Sequence, residues 1–128
     1  MNGLRIGAMS AGVFVAALTA AGTARADMSV CLSSGGDWKA TGTVSKAMSM
    51  MGAWGLDFAE EVKAERLVKP TPMNPEVPGD CMVKSAGGLG KMPEGCKEGS
   101  TATVTGRLSF DAGIAIVNVA SSEDITCN

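Results

Sequence analysis

Residues 100–120 read STATVTGRLSFDAGIAIVNVA. In the first half, Ala102, Val104 and Gly106 alternate with Thr101, Thr103 and Thr105. That is the two-residue period of a half-buried strand, with β-branched residues on its wet face. Asp111-Ala112-Gly113 carries turn chemistry. Ile114 to Ala120, IAIVNVA, is almost continuously apolar and reads as a buried strand. The stretch is therefore a β-hairpin.

The same period recurs upstream. In DWKATGTVS (37–45), Ala40, Gly42 and Val44 alternate with Thr41, Thr43 and Ser45, and the strand can run on to about Met50. Met51-Gly52-Ala53 reads as a turn, with Gly52 able to take a positive φ. Trp54, Leu56 and Phe58 then give an apolar strand face. The segment 57–68, DFAEEVKAERLV, is rich in helix formers, yet it continues that spacing. It is expected as strand to about Lys63, with a one-turn helix as the alternative. KPTPMNPEVPGD (69–80) holds four of the five prolines and is expected as a surface loop. CMVKSA (81–86) reads as a short strand ended by Gly87-Gly88-Leu89-Gly90, and 91–99 as a loop or short helical turn. Five strands result, at about 38–50, 53–63, 80–86, 100–110 and 114–120. This order suits an all-β, five-stranded OB-like barrel, which closes on itself.

KEGSTATVTGRLSFDAGIAIVNVASSEDI (97–125) resembles the final hairpin of small OB-fold domains in bacterial exported proteins. In those domains a Gly-x-x-Val-x-Val-x-Gly strand leads into an apolar last strand ending in x-x-Ile. WKATGTV (38–44) and WGLDFAEEV (54–62) resemble their paired first strands. Such domains are mostly of unknown function, so the resemblance implies a fold rather than an activity.

The first 26 residues read differently. MNGLR is basic, Ile6 to Ala21 carries no charge, and Ala24-Arg25-Ala26 is a small-x-small cleavage signal. This is the layout of a secretory signal peptide, so residues 1–26 are expected to be removed, leaving one domain over 27–128. The apolar run is shorter than the roughly 20 residues of a spanning helix, so no stable membrane insertion is expected after cleavage. A lipid anchor at Cys31 is not expected, because Val30 precedes it, and no twin arginine is present. The predicted location is periplasmic or secreted.

All four cysteines, Cys31, Cys81, Cys96 and Cys127, lie after the leader. In a small exported domain they read as two disulfides. Of the three possible pairings, Cys31–Cys127 with Cys81–Cys96 is favoured here, tying the termini and closing a local loop. With neither a CxxC nor any histidine, zinc is not expected.

The same absence of histidine removes Ser–His and Cys–His nucleophile systems from this chain alone. Among the paired acids, Glu60 and Glu61 would point to opposite faces of a strand, and Asp57 and Glu61 are too far apart along one. Ser121-Ser122-Glu123-Asp124 lacks the oxygen count of a calcium loop. No enzyme and no cofactor are expected. Removing Arg5 and Arg25 leaves the domain with nine basic against thirteen acidic side chains. Nucleic-acid affinity rests mainly on clustered Lys and Arg, helped by aromatic stacking platforms; no basic cluster occurs, and the domain's aromatics are Trp38, Trp54, Phe58 and Phe110 with no Tyr, so no nucleic-acid partner is expected.

What remains is an exported, non-enzymatic binding or accessory domain that contacts another protein or a cell-envelope component. Candidate contacts are the hairpin tip, with Met48, Met50, Met51 and Trp54, and the proline loop, with Pro72 and Pro75. Met and aromatic side chains are enriched at interface centres. The alternative is a Cu(I)-handling protein, since thioethers are soft ligands. Met48 and Met50 would share a strand face, Met51 would point away, and Met82 or Met92 would complete the set.

Overall fold

The computed structural model describes residues 24–128. Most of the expected leader lies outside them. Asp27 caps a short helix, α1 (Met28–Ser33), its carboxylate accepting from the Ser29 N–H at 3.0 Å. Six strands follow: β1 (Trp38–Met50), β2 (Ala53–Arg66), β3 (Cys81–Leu89), β4 (Thr101–Asp111), β5 (Ile114–Val119) and β6 (Ile125–Cys127), with a 3-10 turn at Ser122–Asp124 before the last.

Five strands close a ring in the order β1-β2-β3-β5-β4-β1. All neighbours are antiparallel except β3 and β5, which run parallel from Ser85↔Ile116 to Gly88↔Val119. β6 extends the ring by pairing with the start of β4. The alternating residues of the sequence are the ones inside. Ala40, Val44, Leu56, Phe58, Val83, Ala102, Val104 and Val117 are buried, while Thr41 and Thr103 face water and share a hydrogen bond of 3.1 Å. Trp38 and Trp54 are also buried.

β2 is strand throughout and runs past Lys63 to Arg66. Helix formers at Ala59 to Lys63 sit in a bulge. From Asp57↔Ser85 to Val62↔Val83, β2 takes five steps while β3 takes two. Carbonyls released there are recaptured. Lys84 Nζ donates to the Phe58 and Ala59 oxygens at 2.7 and 3.0 Å, and Ser85 Oγ donates to Asp57 Oδ1 at 2.6 Å. Inside the bulge, Phe58 and Val62 fill the space over Gly42. A Cβ on Gly42 would stand 2.7 Å from Val62 and 2.9 Å from the Phe58 ring.

β3 also outruns its expected end at Ala86. Gly87 and Gly88 do not break the strand; they let neighbours approach. A Cβ on Gly88 would lie 2.8 Å from the Val119 carbonyl and 3.0 Å from the Trp54 ring. The segment 91–99 contains no helix.

Two disulfides are present, as expected, but the favoured pairing is wrong: the bonds are Cys31–Cys81 and Cys96–Cys127, with Cα separations of 6.0 and 5.0 Å. The reason is topological. Ala26 N–H donates to the Asp80 carbonyl at 2.8 Å, which sets α1 beside the start of β3. β6 pairs antiparallel with β4, bringing Cys127 opposite Ala102 and next to the 96–99 segment that enters β4. The same N-terminal contact places Arg25 against Glu61. Hydrogen bonds from that guanidinium hold the Glu61 carboxyl below its ordinary pKa.

Two outcomes follow. Peptide mapping under non-reducing conditions should return Cys31 linked to Cys81 and Cys96 linked to Cys127; a Cys31–Cys127 peptide would contradict the register of α1 and β6. Phe58→Ala, which empties the space under Gly42, should destabilise the domain by about 3–5 kcal/mol in denaturant unfolding.

Candidate contact surface

The β1–β2 turn consists of Met51 and Gly52, and Gly52 takes φ +75°. Its carbonyl accepts from the Gly90 N–H at 2.8 Å, which ties the turn to the end of β3. From this end the registers fix three rows across β1, β2 and β3. Met50, Ala53 and Leu89 stand side by side; Ser49, Trp54 and Gly88 form the next row; Met48, Gly55 and Gly87 the third.

Alternation then sorts these rows. Trp54 is only 5% exposed, so its row faces the core. The two flanking rows face out. Met48 is 41% exposed, Met50 62% and Leu89 88%. Gly55 and Gly87 carry no side chain, so Met48 borders bare backbone. The result is an apolar patch of two Met and one Leu on a flattened sheet surface. Met51, in the turn, is fully exposed.

The expectation that Trp54 offers itself at the hairpin tip is corrected by this register. With Met50 and Ala53 outward, the next residue must turn in. Leu89 and Lys91 were not anticipated as surface-forming residues, because the glycines around Leu89 read as a strand end. Continuing the two-residue period from the buried Ala86 through those glycines, with Gly88 inward and Leu89 outward, is the signal that finds it.

The other candidate residues lie elsewhere. Pro72 and Pro75 are exposed, but their loop leaves from Arg66, at the far end of the 14-residue β2. Arg66 anchors it, donating to the Pro75 carbonyl at 3.1 Å and to the Ser34 carbonyl at 2.7 Å. Loop and hairpin tip are thus separate surfaces. Met82 pairs with Lys63, five residues along β3 from Gly87, roughly 16 Å from the Met48 row at about 3.3 Å per residue. Met92 lines a groove with Ser45, Ala47 and Ser49, the residues that alternate with Met48 and Met50. Neither approaches the outward methionines. Nor do the paired acids share a site: Asp57 accepts from Ser85, Glu61 pairs with Arg25, and Glu60 is exposed. Among the described residues no group of three or more His, Cys, Asp or Glu side chains is placed to hold a metal ion, and no helix is long and apolar enough to cross a membrane.

Comparison with protein-family models, with curated proteins and with solved structures finds no match for this chain.

The inward Trp54 is directly checkable. In a Trp38→Phe variant, Trp54 is the only tryptophan; its emission should be that of an apolar environment, and acrylamide should quench it weakly. Water-like emission with strong quenching would place the ring outside and undo the row assignment.

Proposed function

We propose that this chain is an exported, non-enzymatic binding or accessory domain of OB type that contacts another protein or a cell-envelope component through the Met48–Met50–Leu89 face. One observation carries the reading: three large apolar side chains stand in neighbouring outward rows at one end of the barrel, over glycines that keep the surface flat. Scattered exposed apolar residues are ordinary; a contiguous patch marks a contact surface. Methionine suits the role because its flexible thioether adapts to a partner.

The ring order, with β3 and β5 parallel, supports the OB assignment. The helix here precedes β1 instead of following β3. Two disulfides, with no long apolar helix among the described residues, are compatible with an oxidising compartment outside the cytoplasm.

A photo-crosslinking residue at Met50, in the exported protein in its host, tests the proposal. A discrete adduct is expected from Met50 and none from Thr41, which is exposed on the β1–β4 side; no adduct, or equal adducts from both, would sink it. Cu(I) handling is the rival use of the same two thioethers, since Met48 and Met50 share a face. It requires tight anaerobic Cu(I) binding, against a competing chelator, that disappears in the Met48→Leu, Met50→Leu double variant.

A further inference from the structure

Residues 24–26, the small-x-small end of the expected leader, are built into the folded domain. Ala26 is 6% exposed and belongs to the core. Its N–H donates to the Asp80 carbonyl at 2.8 Å, and the Asp80 N–H donates to the Ala24 carbonyl at 2.9 Å. The segment therefore pairs in parallel with the residue that leads into β3. Gly79, at φ +90°, leaves room for this approach: a Cβ there would run into the Ala24 carbonyl oxygen and the Ala26 nitrogen. Between the two alanines, Arg25 turns outward and donates to both Glu61 carboxylate oxygens, Nη1 to Oε2 at 3.1 Å and Nη2 to Oε1. Glu61 stands in the bulge of β2, where the ladder to β3 is interrupted.

The hydrogen bonding continues into the next residues. Asp27 caps α1, and its carbonyl accepts from the Val30 and Cys31 N–H groups at 3.0 and 3.2 Å. Cys31 is bonded to Cys81, which follows Asp80. Segment 24–31 is thus fastened to the start of β3 at both of its ends.

Cleavage after Ala26 would delete a core residue, two backbone hydrogen bonds and an ion pair. It would also leave the new ammonium on Asp27, where the first N–H groups of α1 already carry positive partial charge. Nor is the Ala26–Asp27 bond open to a peptidase in the folded domain. One side of it lies in a strand bridge and the other in a helix cap, whereas nicking favours exposed, unbonded loops. Farther upstream, Ala20-Ala21-Gly22 is a second small-x-small motif, at the end of the same apolar run. A cut there removes none of these contacts.

We propose that the exported domain keeps Ala24–Ala26, and that its leader is cleaved after Gly22 and not after Ala26. The proposal rests on the export reading above and moves the processing site within it. The step is hydrolysis by a leader peptidase: the Gly22–Thr23 amide bond breaks, and water supplies the hydroxyl of the Gly22 carboxyl group and the proton of the Thr23 amine.

N-terminal sequencing and intact mass of the protein recovered from the envelope or medium of its host test this. The chain should begin at Thr23. In that protein the Ala26 amide should exchange at least about a hundredfold more slowly than an unstructured amide. Ala24→Glu separates the sites while sparing the fold, because Ala24 is exposed and contributes its main chain alone. The variant puts a charge at a small position of both downstream motifs, Gly22-Thr23-Ala24 and Ala24-Arg25-Ala26, and leaves Ala20-Ala21-Gly22 intact. It should be processed as the unchanged chain is. A start at Arg25 or Asp27, or accumulation of the Ala24→Glu precursor, would overturn the proposal while export stands. A chain that starts at Thr23 but exchanges its Ala26 amide freely would overturn the docking of the segment. A full-length chain confined to the cytoplasm would remove the export reading, and this one with it.

Discussion

Trp38–Ala40 is paired on both edges at once, with Arg66–Ala64 of β2 on one side and Gly106–Val104 of β4 on the other. The ring exists because this segment joins the first hairpin to the last. Past Thr43 the two partners part company. β4 begins at Thr101, and beyond the Val44 contacts to Gly99 and Ser100, β1 pairs with β2 alone as far as Met50. One end of the first hairpin therefore stands clear of β4, and that freedom puts Met48 and Met50 at the surface.

Closure also sets the steric rules inside. A five-stranded ring is narrow, so small residues facing in, Ala40, Ala64, Ala86 and Ala102 among them, make room for the large ones. Phe58 and Val62 occupy the space that Gly42 leaves, and at Gly106 the Asn118 backbone carbonyl occupies the place a Cβ would take. The bulge in β2 is the companion device. It gives β2 the extra length to pass around the Phe58 ring, and Lys84 bonds the carbonyls that this detour takes from the ladder. The disulfides tie the elements beyond the ring to it, one fixing α1 to β3 and the other fixing β6 to the approach of β4, with Cys31, Cys81 and Cys96 buried in the core.

Much of this was legible because a strand with one dry face writes its period into the sequence. Ala102/Val104/Gly106, Ala40/Gly42/Val44 and Trp54/Leu56/Phe58 each gave the inward face, and Gly52 gave the turn. Features that depend on how distant segments meet were not legible. The disulfide pairing follows from the place of α1 beside Cys81 and from a three-residue β6, neither with a periodic pattern long enough to read. Helix propensity at Ala59–Lys63 was overridden by the pairs that flank it, Phe58 and Ala64 with β1 and Asp57 and Val62 with β3, as tertiary context commonly overrides it. Gly87 and Gly88 read as an ending because glycine weakens an isolated strand; in the ring they permit the contacts with Trp54 and Val119. The outward apolar row was half legible: two of its members lie in KAMSM, but the third could be seen only with β3 carried through those glycines.

The two kinds of residue at this end of the barrel are under different constraints. Gly88 cannot accept a side chain without displacing Val119 or Trp54, so the fold itself demands it. The exposure of Met48, Met50 and Leu89 leaves much of each side chain outside any contact the fold needs. Lysine or threonine would serve equally well at those positions, and would better protect the unpaired edge of β1 from adventitious strand pairing. Lys46 and the irregularity between Val44 and Lys46 do protect the start of that edge. Beyond them the sequence turns to methionine. Apolar side chains that the packing does not call for, on rows that the strand register turns outward, are what the proposed contact face rests on.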